Sequence, residues 1–244
     1  MKNRGLKTME TSIREAQEKV LAIFSKIKSS FALSGGTALE LYYLGHRFSR
    51  DLDFFSPNYS SSEVEKVITA LSLGLKQPIK LENQFTLSTH AKVSFYSVKI
   101  KGSSSPLKID FIEDVLFKNP KIKKFAGVPV YAVLQIYLQK ITAITGTNLS
   151  SNSIGREAIS GRQEIRDIID LYYLSKKIKA LHLYLPSIPR VYQRGLIQWH
   201  HTFSRQDFKL GFLDYVIYDK TLDSSQVINY LDSEIGRFIK EELA

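Results

Sequence analysis

The stretch RDLDFF, residues 50–55, limits what this chain can fold into more than any other feature of the sequence. Asp51 and Asp53 alternate there with apolar residues, and a period of two is typical of a β-strand that covers a core. The two carboxylates then share a face, with Cα atoms about 6.5–7 Å apart, while Leu52 and Phe54 point to the other side. Because a hard divalent cation relieves the repulsion between close carboxylates, the pair predicts a Mg²⁺ site.

A glycine pair precedes this strand in the segment SSFALSGGTALELYYL. The pattern predicts a short buried strand, a turn at Gly35 and Gly36, and a helix from Thr37 to Leu44 whose capping box pairs Thr37 with Glu40. Glycines let the backbone approach a ligand, and the start of a helix offers free N–H groups to a phosphate. The turn therefore predicts a triphosphate site, although glycine pairs are more often plain turns and capping alone explains Thr37.

A third carboxylate commonly completes such a site and activates the attacking hydroxyl. The stretch PLKIDFIED supplies Asp110, on a strand whose Ile109 and Phe111 face away from it. Asp114 lies just outside the alternating run and is the weaker choice. The alternative is that these carboxylates only form a solvated strand edge.

The remaining patterns predict an α+β chain, with strands and helices mixed in the first half and mostly helices after about residue 125. The expected helices are about Thr11–Lys28, a helix in NYSSSEVEKVITALSLG that ends at Gly74, Tyr131–Ile144 and Arg162–Lys176. The expected strands are around Ile79–Leu87, Ala91–Lys101 and Leu107–Ile112. The polar stretch Thr145–Gly161 predicts a mobile loop.

Composition narrows the class of partner. The 244 residues carry 34 Lys and Arg against 24 Asp and Glu, a net charge of +10, which favours nucleic acid or nucleotides as partners over an anionic membrane surface. The alternative is a basic surface without such a partner. The absence of cysteine excludes disulfides and thiolate metal sites. The charged N-terminus lacks a signal sequence, and no stretch is long enough to cross a bilayer, so we expect a cytoplasmic protein without a membrane partner.

Several cations lie close to the paired carboxylates in sequence. His46, Arg47 and Arg50 precede them, and an arginine there can reach triphosphate oxygens. The alternative is that Arg47 and Arg50 pair with Asp51 or Glu40 at the surface. Two lysine groups, KNPKIKK and KKIK, are candidates for phosphate contacts to RNA. A histidine pair after Trp199 predicts packing or surface positions rather than a metal site, because neighbouring helical residues diverge.

The segment SGGTALELYYLGHRFSRDLDFF resembles the signature of the nucleotidyltransferase superfamily of DNA polymerase β. With the later LQKITAI and RQEIRDIIDLYYL, the chain is similar to the AbiEii/AbiGii toxin family from about Phe31 to Leu174. The resemblance implies a nucleotidyltransferase core domain with a small mixed sheet flanked by helices, followed by a helical C-terminal domain. The change of pattern near residue 125 gives these domains the bounds 1–125 and 126–244. It also implies transfer of a nucleoside monophosphate from an NTP to RNA, including tRNA 3′ ends, in a bacterial toxin paired with an antitoxin.

The family's first motif carries over residue by residue. Gly35, Gly36 and Thr37 match the phosphate-side turn, and Asp51 and Asp53 match the ligands of Mg²⁺, or alternatively Mn²⁺.

The helical motifs add two further site residues. Lys140 matches the family's lysine, expected near the nucleotide phosphates, and Asp167 matches its helical aspartate. Asp170, on the same helical face, is the alternative to Asp167 or an ion-pair partner. The long insert between Lys140 and Arg166 departs from the family pattern and suggests a loop that covers the site or touches the acceptor.

The leading hypothesis is thus a Mg²⁺-dependent toxin-type nucleotidyltransferase. The rival is a non-catalytic module that binds nucleic acid or a protein partner with the same fold, and an antibiotic-modifying nucleotidyltransferase is a third possibility. Two repelling carboxylates argue against the rival, because a module without catalysis has little reason to keep them together.

Overall fold

The computed structural model describes residues 2–86, 91–101, 103–146, 150–151, 157–158, 161–162 and 164–243. Its chain forms two compact units. The first comprises Met1–Tyr42 and Ser49–Ala132, and the second comprises Tyr43–Phe48 and Val133–Ala244. The α+β class predicted from the sequence is confirmed, with the sheet in the first unit and helices dominating the second.

Seven strands of the first unit form one mixed sheet in the order β3-β4-β5-β2-β1-β7-β6. They are β1 (Ala32–Ser34), β2 (Leu52–Ser56), β3 (Lys80–Phe85), β4 (Val93–Val98), β5 (Leu107–Glu113), β6 (Ile122–Phe125) and β7 (Val128–Tyr131). The pairs β2–β5 and β1–β7 are parallel, and the other neighbours are antiparallel. Strands β6 and β7 were not predicted.

One face of this sheet is the core of the first unit. The helices of the unit are α1 (Lys2–Phe24), α2 (Gly35–Leu39) and α3 (Ser61–Leu75), and a π-helical turn, Glu40–Leu44, follows α2. Phe24 of α1 packs on Phe54 of β2 with ring centroids 4.2 Å apart, and Phe54 stacks on Phe111 of β5 at 5.4 Å. All three rings are fully buried, as the alternation of the strands predicted for Phe54 and Phe111.

Several predicted helix ends differ from the structure: α1 is Lys2–Phe24 instead of about Thr11–Lys28, and two further differences lie at glycines. Helix α2 begins at Gly35 instead of Thr37, so Thr37 lies inside the helix and the capping box with Glu40 is wrong. Helix α3 passes through Gly74 and ends at Leu75, and its C-cap residue Lys76 adopts the left-handed conformation with φ of 55°. Gly74 instead lies against the side chain of Ile23 in α1, because a Cβ there would lie 2.7 Å from Cδ1 of Ile23.

The second unit is built mainly from helices. They are α4 (Val133–Thr145), α5 (Ile165–Lys177), α6 (Leu181–Tyr184), α7 (Arg190–Thr202), α8 (Arg205–Phe212) and α9 (Ser224–Leu243), with a 3₁₀ turn at Leu185–Ser187. Its core includes the stacked rings of Tyr137 and Tyr184, 4.2 Å apart, and of Trp199 and Phe203, 4.6 Å apart. None of the described helices combines the length and apolar content that crossing a membrane requires.

Most of the predicted loop 145–161 lies outside the described residues. Within it, β8 (Ser150–Ser151) and β9 (Glu157–Ala158) form a short antiparallel ladder.

The division between the units falls after Ala132, whereas the sequence suggested residue 125. The difference has a structural cause, because β7 pairs with β1 through Leu33 and Val130 and so extends the sheet. Segment 43–48 belongs to the second unit, where the Phe48 N–H donates to the Val216 carbonyl at 2.9 Å and the Tyr218 N–H donates to the His46 carbonyl at 3.0 Å.

Candidate active site

Two of the predicted site residues lie together on the sheet of the first unit, and a third directly precedes one of its strands. Asp53 on β2 is the register partner of Ser34 on β1 and of Asp110 on β5. Neighbouring strands are about 5 Å apart and register partners share a face, so the Asp53 and Asp110 carboxylates lie side by side. Asp51 immediately precedes β2, and all three aspartates are half-buried. The structure therefore brings Asp53 and Asp110 to one face of the sheet, with Asp51 directly before β2.

A metal ion at this row needs ligands beyond the protein. Among the residues that the structure describes, no group of three or more His, Asp or Glu side chains is arranged to hold a metal. Mg²⁺ does not require such a cage, because it commonly binds one or two carboxylates together with water and substrate phosphates. The half-exposed row thus suits a metal that binds with a nucleotide, and Asp51, Asp53 and Asp110 are the residues that would hold it.

The glycine turn lies directly against this row. Gly35 adopts φ of +70°, and a Cβ built on it would overlap Oδ2 of Asp53 and lie 3.2 Å from its Cγ. Only glycine combines this backbone conformation with so close an approach. The sequence predicted a phosphate turn beside the carboxylates, and the structure places the backbone of Gly35 in contact with the Asp53 side chain.

We expect Gly35→Ala to lower the activity of the site about a hundred-fold, because the new methyl group displaces the Asp53 carboxylate. Gly45→Ala is the matched control: Gly45 also has positive φ, +55°, but nothing lies within 4 Å of a Cβ there. Both substitutions should cost about 1–2 kcal/mol of stability through backbone strain. Transfer assays and denaturant unfolding measure the two effects, and an equal loss of activity in both variants would contradict the steric explanation.

A hydrogen-bonded clamp fixes the chain just before the carboxylates. Glu40 accepts hydrogen bonds from the Ser49 N–H, at 2.8 Å, and from the Arg14 guanidinium. Gln17 donates to the Ser49 carbonyl at 3.0 Å and accepts from Arg14 at 2.8 Å. Both peptide groups of Ser49, two residues before Asp51, are therefore held by side chains. Sequence reasoning missed this clamp, although Gln17 is a polar residue in the apolar stripe of α1 that contains Ile13 and Val20.

Thr37 holds the next residues of the same segment. Its buried hydroxyl donates to the carbonyl oxygen of Asp51 at 2.5 Å. Because a hydroxyl has a single proton to donate, this bond leaves none for a phosphate. The structure thus places the Thr37 hydroxyl as a support for the backbone at Asp51.

Thr37→Val should cost about 1–3 kcal/mol of stability and reduce activity, because the Asp51 carbonyl loses its donor while the side-chain shape is kept. Thr37→Ser retains the hydroxyl and should cost only about 1 kcal/mol for the lost methyl group. Denaturant unfolding and transfer rates measured on both variants test this. Equal effects of valine and serine would show that packing, not the hydrogen bond, explains the role of Thr37.

The second unit contains a buried cluster of charges. The Asp170 carboxylate accepts two hydrogen bonds from the Arg47 guanidinium, at 2.7 and 2.8 Å, and lies 2.6 Å from Nε2 of His46. Nζ of Lys140 lies 2.8 Å from Asp170 and 2.7 Å from Asp167. Arg162 completes the charge cluster, donating to Asp167 at 2.9 Å.

The pKa values of this cluster show how its charges are held. Burial alone would raise the pKa of Asp170, but Arg47, Lys140 and His46 outweigh it and hold that pKa well below the usual range. Asp167 is likewise lowered in pKa, because Lys140 and Arg162 outweigh its burial. Burial lowers the pKa of His46 despite its bond to Asp170. Both carboxylates are therefore ionised at neutral pH, and His46 is neutral.

This cluster changes the interpretation of several predicted site residues. The predicted phosphate ligands Arg47 and Lys140 are buried, and both are bound to carboxylates of α5. The surface pairing considered for Arg47, with Asp51 or Glu40, is not what the structure contains. Asp167 and Asp170 are both ion-pair partners of Lys140, so the pairing does not distinguish which of them is the helical aspartate of the family motif. Arg50 remains an exposed cation directly before Asp51.

Comparisons with known proteins agree with this fold. Two crystal structures share the fold. One is a "putative nucleotidyltransferase from H. pylori", with a TM-score of 0.59 and 16% sequence identity over 95% of this chain and 96% of that one. The other is JHP933 from Helicobacter pylori, with a TM-score of 0.57 and 15% sequence identity over 96% of this chain and 94% of that one. A search of curated proteins finds no significant match. A family profile described as "Nucleotidyl transferase AbiEii toxin, Type IV TA system" matches residues 19–208, more than half of the chain. The chain therefore belongs to the AbiEii nucleotidyl transferase toxin family.

Proposed function

We propose that this protein transfers a nucleoside monophosphate from an NTP to a hydroxyl group of RNA, with tRNA 3′ ends as one acceptor class, in a reaction that depends on Mg²⁺ or Mn²⁺. The observation that carries the proposal is the row of Asp53 and Asp110 on one face of the sheet, against the backbone of Gly35. A phosphate turn and paired carboxylates at this spacing are the parts that phosphoryl-type transfer needs.

In this reaction an oxygen of the acceptor hydroxyl forms a bond to the α-phosphorus of the NTP, and the bond from that phosphorus to the leaving pyrophosphate breaks. Asp110 accepts the hydroxyl proton or positions the hydroxyl for attack. Asp51 and Asp53 hold the divalent metal, which when bound offsets negative charge on the phosphates. The clamp of Ser49 and the Thr37 bond keep Asp51 in place, so that little reorganisation is needed during the reaction.

The phosphates are held on the β1 side of the carboxylates in this proposal. Backbone N–H groups of Gly35 and Gly36 face the triphosphate, and exposed Arg50 supplies positive charge. The charge cluster keeps the helical unit folded. In this proposal its members Lys140, Asp167 and Arg47 contribute to the reaction only through that stability.

The proposed acceptor and partner have separate support. A net charge of +10 favours a polyanionic acceptor such as RNA. The description of the family as a toxin of a type IV toxin–antitoxin system supports a toxic activity opposed by an antitoxin.

The test is incubation of the purified protein with each labelled NTP, Mg²⁺ and total RNA, beside the Asp51→Asn and Asp53→Asn variants. Label that enters RNA with the wild type and not with the variants supports the proposal. If the protein binds NTP but no label enters RNA, the acceptor is a molecule other than RNA. A wild type that binds no NTP would favour a non-catalytic binding module.

A further inference from the structure

Two aromatic side chains continue the carboxylate row across the sheet. Phe95 on β4 is the register partner of Asp110, and Asn83 on β3 is the register partner of Phe95. Phe85, also on β3, pairs with Val93, two residues from Phe95, and its ring packs edge-on against Phe95 with centroids 6.2 Å apart. We call Phe85 and Phe95 the aromatic ledge. Phe85 is 51% exposed, so the ledge presents ring surface to solvent.

The position of the aromatic ledge relates it to the proposed chemistry. Register partners share a face, so Phe95 lies on the carboxylate side, about 5 Å from Asp110 and about 10 Å from Asp53 in strand spacing. Gly35 lies on the opposite side of Asp53, next to β1. If phosphates bind at Gly35 and Asp110 receives the acceptor hydroxyl, the ledge lies where the acceptor continues beyond its reacting end.

The charge around the ledge suits a polyanion. Residues 76–108 contain six lysines and one acidic residue, Glu82, a net charge of +5 with His90 neutral. Lys108, exposed on β5, lies two residues before Asp110 and therefore on the same face. Lysines on an edge strand such as β3 also discourage strand pairing, but that role explains neither the exposed Phe85 nor its place beside the carboxylates.

We propose that the aromatic ledge stacks the unpaired bases at the 3′ end of a single-stranded RNA acceptor while neighbouring lysines contact its phosphates. The inference rests on the proposed function and adds the acceptor's conformation and its path over β5, β4 and β3. Every base has a face for stacking, so this site binds single strands with little sequence preference. A duplex end, whose bases are already stacked, should bind weakly.

The test measures binding of a fluorescent single-stranded RNA 12-mer with a free 3′ hydroxyl to the full-length protein, without NTP. Phe85→Ala and Phe95→Ala should each weaken binding about 5- to 150-fold, and Phe85→Tyr and Phe95→Tyr should restore it. Leu81→Ala is the matched control: Leu81 is also an exposed apolar residue of β3, but it pairs with Tyr96 and so faces the other side of the sheet.

Thermal shift with Mg²⁺ and NTP on the same variants separates the two proposals. Weaker RNA binding with a normal NTP shift in the Phe→Ala variants, and wild-type RNA binding by Leu81→Ala, supports the ledge. Unchanged RNA affinity in both Phe→Ala variants, or an equal loss in Leu81→Ala, overturns it while leaving nucleotidyl transfer intact as a proposal. Absence of both an NTP shift and transfer in the wild type overturns the proposed function itself.

Discussion

Replacing Asp53 with Asn should lower nucleotidyl transfer at least about a hundred-fold while the protein stays folded. The substitution keeps the shape of the side chain but removes one charge from the carboxylate row of Asp53 and Asp110, and with it a metal ligand. Because it also removes repulsion between close carboxylates, the unfolding temperature should be unchanged or higher. Transfer of label to RNA and a thermal melt of the same preparation measure both effects.

Glu113→Gln is the control for this prediction. Glu113 lies on β5 like Asp110, but three residues further on, so its side chain points to the other face of the sheet. Its neutralisation removes one negative charge from the strand next to that of Asp53, on the other face of the sheet, and should leave transfer near the wild-type rate. Normal turnover by Asp53→Asn would contradict the proposed mechanism. An unfolding temperature lowered by many degrees would indicate a structural role for Asp53 instead.

The strands that form the candidate site were predictable because their pattern is local. Alternation of Leu52 and Phe54 with the aspartates shows which side of β2 is buried, and the same holds for Ile109 and Phe111 of β5. Strands β6 and β7 escaped prediction for a physical reason. The sequence IKKF does not alternate, since β6 is an exposed edge strand, and VPVY contains a proline, which weakens a strand assignment.

The contacts that hold the site residues in place were not predictable from local patterns. Thr37 matched a capping box with a residue three positions away, but its hydroxyl bonds to Asp51, fourteen positions away. Arg47 lies 123 positions from Asp170, and nothing in its own neighbourhood indicates that partner. Residue type and spacing therefore identified the carboxylates, whereas the distinction between a phosphate ligand and a buried ion pair required the tertiary structure.

Asp170→Asn should destabilise the protein by about 3–5 kcal/mol, the second large effect that we expect. The carboxylate is completely buried and its loss leaves the charges of Arg47 and Lys140 with one partner fewer. Asp232→Asn is the matched control, because Asp232 also binds a histidine and an arginine, His200 and Arg205, but is 41% exposed. An exposed pair of this kind contributes at most about 1 kcal/mol, so the control should unfold almost like the wild type.

The pH dependence of the Asp170 effect distinguishes charge from packing. The pKa of Asp170 is well below 3.8 in the folded protein and returns to about 3.9 in the unfolded chain, so the unfolded chain binds more protons as the pH falls. The stabilisation by Asp170 is thus complete above about pH 4 and is lost as the pH falls through the folded pKa. The deficit of Asp170→Asn in denaturant unfolding should be full at pH 7 and shrink below pH 4. A deficit that is independent of pH would mean that the carboxylate acts through its shape, and the charge cluster would then not be what holds the helical unit together.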